Sequence, residues 1–98
     1  MPRRKSDLKV ENVWNYLSQI GKNMSPDTII KLKTRAARCL CKVGGKKYLS
    51  QGIELYNEAY DLQCQIRGSM HPRSLNLLTL IIESEKRKEK IKIKKSDN

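Results

Sequence analysis

Apolar residues recur along this chain at three- and four-residue intervals, the period of an amphipathic helix, and no stretch reads as a strand. Val10, Val13, Trp14, Leu17 and Ile20 put one apolar face on a first helix from about Leu8 to Lys22, with Gly21 as its stop signal. A second helix begins near Pro26 and ends before Gly44-Gly45. It carries one stripe of Ile29, Leu32, Ala36, Leu40 and Val43 and another of Ile30, Ala37 and Cys41, so it is expected to pack between neighbours. A third runs from about Tyr48 to Arg67 on Ile53, Tyr56, Ala59, Tyr60 and Leu62, and Gly68 closes it. A fourth starts at Pro72 and carries Leu75, Leu77, Leu78, Ile81 and Ile82. Its apolar pattern stops at Glu83, while its helix-forming composition continues.

The breaks between helices are alike. KNMSPDT at 22–28 and GSMHPRS at 68–74 each place Met, one residue, Pro and a hydroxyl residue between amphipathic segments. Proline suits the first helical turn, where its missing N–H is not needed, and the residue before it resists helix. Ser25 and His71 stand just ahead of the prolines, Ser25 being the stronger N-cap. Shifted by 46, the chain lies over itself: Trp14 on Tyr60, Gln19 on Gln65, Ile20 on Ile66, Met24 on Met70, Pro26 on Pro72, Thr28 on Ser74, Leu32 on Leu78. Matches clustered across a helix end, a turn and a helix start mark a structural repeat. The expected fold is all-α: four antiparallel helices forming half a repeat, one full repeat and half a repeat. Residues 8–86 make the helical domain, between a basic N-terminal tail at 1–7 and a basic C-terminal tail at 87–98.

The stretch LYNEAYDLQCQIRGSMHPRS resembles the second helix and following turn of a tetratricopeptide repeat of the kinesin-light-chain type. The matching positions are Leu55, Tyr56, Ala59, Gly68, His71, Pro72 and Ser74, with Pro26, Asp27 and Thr28 repeating the turn one unit earlier. The resemblance implies a short α-α superhelix that holds a preformed binding surface without catalysis. The period here is longer than the family's, and an enlarged turn at Val43 to Lys47 would absorb the surplus. The family's paired peptide-holding Asn residues are replaced by Lys33 and Thr34, and by Thr79 and Leu80, so that role does not transfer intact. In the register set by Pro26, Ile30, Lys33, Ala37 and Cys41 would face the groove. Arrays of this kind want about three repeats with caps. Either the charged end of helix four serves as a cap, or another chain covers an open end.

Charge narrows the partners. The 98 residues carry 21 basic and 10 acidic side chains, a net +11, which favours an acidic protein, nucleic acid or an anionic surface. From Thr28 to Lys47 there are seven basic residues and no acid. Lys31, Arg35, Arg38 and Lys42 fall along one face, where like charges repel, so the row is not there to stabilise its helix. It is either a solvated outer face or a docking stripe, and by the Pro26 register it lies beside the groove on an exposed edge. Candidate partner contacts are Lys31, Lys33, Arg35, Arg38 and Lys42 on helix two, with Asn76 and Thr79 on helix four. The run Lys86 to Lys95 has seven basic residues and one acid, but no interleaved aromatic on which a base could stack. Runs of this composition are usually disordered solvating ends, sometimes import or nucleic-acid segments.

Chemistry finds little foothold. His71 belongs to a turn, and no glycine-rich phosphate loop or metal-spaced cluster is present, so neither enzyme nor cofactor is expected. Cys39, Cys41 and Cys64 are odd in number and read as small buried hydrophobes in a reducing compartment. Without a leader or an apolar run long enough to span a bilayer, the expectation is a soluble intracellular protein, cytoplasmic or nuclear. Three functions fit: an adaptor or scaffold docking an acidic protein partner, a small basic nucleic-acid binder contacting phosphates, and a subunit that assembles with copies of itself through open helical ends.

Overall fold

The computed structural model describes residues 5–21 and 23–96. Four helices make it up, α1 (Lys5–Ser18), α2 (Pro26–Val43), α3 (Lys46–Arg67) and α4 (Pro72–Ser96), with no strand among the described residues. Residues 1–4 of the basic N-terminal stretch, Lys22 at the expected end of helix one, and residues 97–98 lie outside those described.

Local chemistry sets the helix ends. Ser25 caps α2 from an extended backbone: its Oγ accepts from the Thr28 N–H at 3.4 Å and lies 2.8 Å from the Thr28 hydroxyl. Such a cap is worth about 1 kcal/mol. One period later His71 does the same with a ring nitrogen, its Nδ1 accepting from the Arg73 N–H at 3.2 Å. The cap carbonyls also correspond, Ser25 O accepting from Ile29 N–H at 3.1 Å and His71 O from Leu75 N–H at 3.0 Å. The turn motif thus recurs in geometry as well as in letters.

α1 ends at Ser18, short of the expected Lys22. Gln19 N–H and Ile20 N–H reach back three residues, to Tyr16 O and Leu17 O, which tightens the helix to its close. The α2–α3 link is also tighter than expected. Instead of an enlarged turn from Val43 to Lys47, only Gly44 and Gly45 separate the helices, with φ of 82° and 87°. Side chains rarely adopt that region, so two consecutive glycines make so short a reversal feasible. The extra length of the repeat sits in the helices, α3 alone having 22 residues. α4 runs on to Ser96, through the boundary drawn at residue 86. Lys, Glu and Arg are good helix formers, and extending an existing helix avoids the nucleation step.

The helices pack in chain order, α1 on α2, α2 on α3 and α3 on α4. α2 and α3 run antiparallel, since Asp27 at the start of one is paired with Arg67 at the end of the other. As its two stripes foretold, α2 is buried on two sides. Ile30, Ala37 and Cys41 join Leu49, Tyr56 and Ala59 of α3 and Leu77 and Ile81 of α4 in the main core. Ala36 and Leu40 meet Val13 of α1, with Tyr16, Leu17, Tyr48 and Leu55 around them. Arg87 of α4 donates from Nη2 to the Cys41 carbonyl at 3.0 Å, giving the C-terminus of α2 a cationic partner. Cys41 Sγ and Ser84 Oγ lie 3.6 Å apart beside it.

The repeat is not uniform. α4 buries Ser74, Leu77, Ile81 and Ser84, whose counterparts at a shift of 46 are Thr28, Lys31, Arg35 and Arg38, all exposed on α2. A shift of 45 instead lays Leu77 on buried Leu32 and Ile81 on buried Ala36. α4 is therefore turned about its axis by one residue's worth, about 100°, relative to α2. The sequence supplies the cause: it has Leu77 and Ile81 where α2 has Lys31 and Arg35. α4 turns to bury that pair and leaves Leu75 and Ile82 more than two-fifths exposed.

Candidate functional site

A cleft of about 680 Å³ opens between α2 and α4. Lys31, Arg35 and Arg38 form one wall, while Arg73 and Asn76 stand on the other. Ile30, Leu77 and Leu80 supply an apolar floor, and buried Gln63 of α3 closes it from below. The three α2 cations are spaced about one turn apart because residues at i, i+4 and i+7 share a helix face, spanning about 10 Å of helix.

This corrects the expected groove. Of the positions expected to face it, Ile30 lines the cleft floor, while Ala37 and Cys41 are buried among α3 and α4, because the groove register borrowed from the family ignores which neighbours cover α2. The basic stripe, expected beside the groove on an exposed edge, lines the cleft instead. Of the expected contacts, Lys31, Arg35, Arg38 and Asn76 come together. Lys33 points elsewhere, its Nζ 3.3 Å from Glu58 of α3. Lys42, exposed in the last turn of α2, and Thr79, exposed and donating to Leu75 O at 3.0 Å, are not among the lining residues. Arg73 escaped the sequence reading, which searched one helix at a time. It carries a signal nonetheless, since a cation in the first turn of a helix opposes the helix dipole.

The cleft is short of counter-charge. Among the described residues the ion pairs are Lys33–Glu58 and Arg67–Asp27, and neither uses Lys31, Arg35, Arg38 or Arg73. Arg38 leans toward Tyr56, whose phenol is pushed up from its ordinary range first by burial, with Arg38 pulling it back. At one end of the cleft Asp27 accepts from Arg67 Nη1 at 2.6 Å, and the same nitrogen donates to Gln63 Oε1 at 3.0 Å. The Arg67 hydrogen bond holds the Asp27 carboxyl below its ordinary value of 3.8, with Arg73 acting in the same direction from a distance. A depressed carboxylate stabilises the fold fully above its unfolded pKa, and that contribution is lost as pH falls through the folded one. Asp27→Asn is therefore expected to be less stable than the parent at neutral pH, and the gap should close on acidification below about pH 3.8. Urea midpoints for both proteins from pH 7 to pH 2 check this. A gap that stays constant would show that Asp27 contributes nothing through its charge.

Trp14, on the apolar face of α1, is 63% exposed. It borders a smaller cleft of about 300 Å³ between α1 and α3, with Leu17, Tyr48 and Leu55. Cys39 and Cys64 are half-buried and Cys41 buried, all as free thiols. Among the described residues no three His, Cys, Asp or Glu side chains converge as metal ligands, and no helix is long and apolar enough to cross a membrane. Compared with known proteins, the chain matches no family model, no curated protein and no solved structure.

Proposed function

We propose that this chain is a non-enzymatic interaction module, a short tetratricopeptide-like helical adaptor that docks an acidic segment of a protein partner in the α2–α4 cleft. One observation carries the reading. Four cations that form no ion pair among the described residues, Lys31, Arg35, Arg38 and Arg73, face a floor of Ile30, Leu77 and Leu80. Cations set close together repel, and a ligand that brings negative charge relieves that repulsion while its apolar side chains cover the floor. Stacked helices suit this role because they present a surface already formed before the partner arrives. Nucleic acid fits less well, since the cleft lining holds no aromatic side chain for a base to stack on.

The reading is tested by amide chemical-shift mapping with a dodecapeptide of glutamates interrupted by two leucines. Saturable shifts are expected at Lys31, Arg35, Arg38, Arg73 and Asn76, weakening as salt rises, because exposed charges are screened over about 10 Å at 0.1 M. An all-glutamate dodecamer should bind more weakly, having nothing for the floor. Shifts scattered over every lysine of the surface would leave the cleft without a role.

A further inference from the structure

We infer that the anionic group this cleft is built to take is a phosphoryl group on a serine or threonine of the partner, bridged by Arg35 and Arg38. The inference rests on reading the cleft as a docking site and names the chemistry it selects. Three of its four cations outside those ion pairs are arginines, not lysines. A guanidinium is a planar fork of five donors that matches phosphate oxygens two at a time, whereas an ammonium acts as a point charge. Arg35 and Arg38 are three apart on α2, so their side chains emerge as neighbours about 5–6 Å apart at Cβ. A single carboxylate neutralises only one of them. A phosphate monoester carries close to two negative charges and three acceptor oxygens, enough for both forks at once.

The wall offers no free backbone donors. Arg35 and Arg38 lie in the interior of an 18-residue helix, where backbone N–H groups are committed within the helix, so the arginine side chains must do the selecting. Beside them, half-buried Leu80 and the buried Leu77 offer an apolar seat for a residue flanking the phosphorylated one. That seat favours a peptide over a nucleic-acid backbone, which carries phosphates but no aliphatic side chains.

The test uses the full chain and three degenerate nonapeptide libraries, fixed at the centre as phosphoserine, serine or glutamate, with retention measured by fluorescence polarisation. The phosphoserine library is expected to bind about tenfold tighter than the glutamate library, and the serine library weakest. In Arg35→Lys/Arg38→Lys the charge stays and the forks are lost, so the phosphoserine preference should collapse while glutamate binding persists. Equal binding of phosphoserine and glutamate overturns the inference yet leaves the docking reading standing. If no library binds, both fall. A preference that survives the double lysine variant, or a single-stranded RNA dodecamer that displaces the phosphopeptides at equal concentration, also overturns it.

Discussion

Gly52→Val is expected to unfold most of this protein at temperatures where the parent is intact. Gly52 lies two turns into α3 and is buried where that helix crosses α2. A Cβ placed there would stand 2.8 Å from Cys41 Sγ, 3.0 Å from the Ala37 carbonyl oxygen and 3.5 Å from Leu40 Cβ. The sulfur has some room to swing, but the carbonyl belongs to the α2 backbone, so relief means moving one helix off the other. Alanine in place of mid-helix glycine gains about 1 kcal/mol of helix propensity, against about 1–3 kcal/mol for overpacking a tight contact. Gly52→Ala should therefore be modestly destabilised. Valine adds two more methyl groups at the same point, and its loss should be about 3 kcal/mol or more. For a domain of this size that corresponds to a Tm lower by roughly 15 °C, readable by circular dichroism. Removing the nearest atom separates contact from propensity: Cys41→Ala combined with Gly52→Ala should recover part of the alanine penalty. A valine variant that melts within a few degrees of the parent would mean the helices do not approach this closely.

That glycine marks where the sequence stops being legible. Pro26, Pro72, Ser25 and the glycines at 44, 45 and 68 declare helix ends through chemistry that needs only adjacent residues, and four helices could be read from them. The two stripes of α2 likewise announced burial on two sides. Gly52, by contrast, reads locally as a weak point in a helix, because its reason lies across the interface on a segment eleven residues away in sequence. The cleft was misjudged for a related reason. Its shape depends on how far α4 turns about its own axis, which Leu77 and Ile81 decide by seeking burial against α3 and α2. Reading each helix alone found Lys31, Arg35 and Arg38 on one wall and Asn76 on the other, but not Arg73 beside it. Arg73 needed the fold.

Reversing the cleft charges should separate docking from mere basicity. In Lys31→Glu/Arg35→Glu two exposed cations become anions, a net change of −4, and binding of an acidic peptide at low salt should weaken roughly 100-fold. Each lost attraction is worth a few tenths of a kcal/mol to 1 kcal/mol at an exposed site, and each reversal adds a repulsion of similar size. Helicity should hold, because both positions are exposed and neither cation has an ion-pair partner to lose. Arg38 is the less clean target. Its contact with the buried Tyr56 phenol links it to the core, so Arg38→Glu mixes binding with stability. The control is Lys46→Glu/Lys47→Glu, which changes net charge by the same amount at exposed residues outside the α2–α4 cleft. Acids there begin α3, where a helix N-terminus favours negative charge. Titration calorimetry at low and physiological salt then distinguishes two kinds of attraction. Directed docking predicts a large loss for the cleft pair and a small one for the control. Equal losses in both would mean that the chain attracts acids through its net +11 alone, with no site to which the attraction belongs.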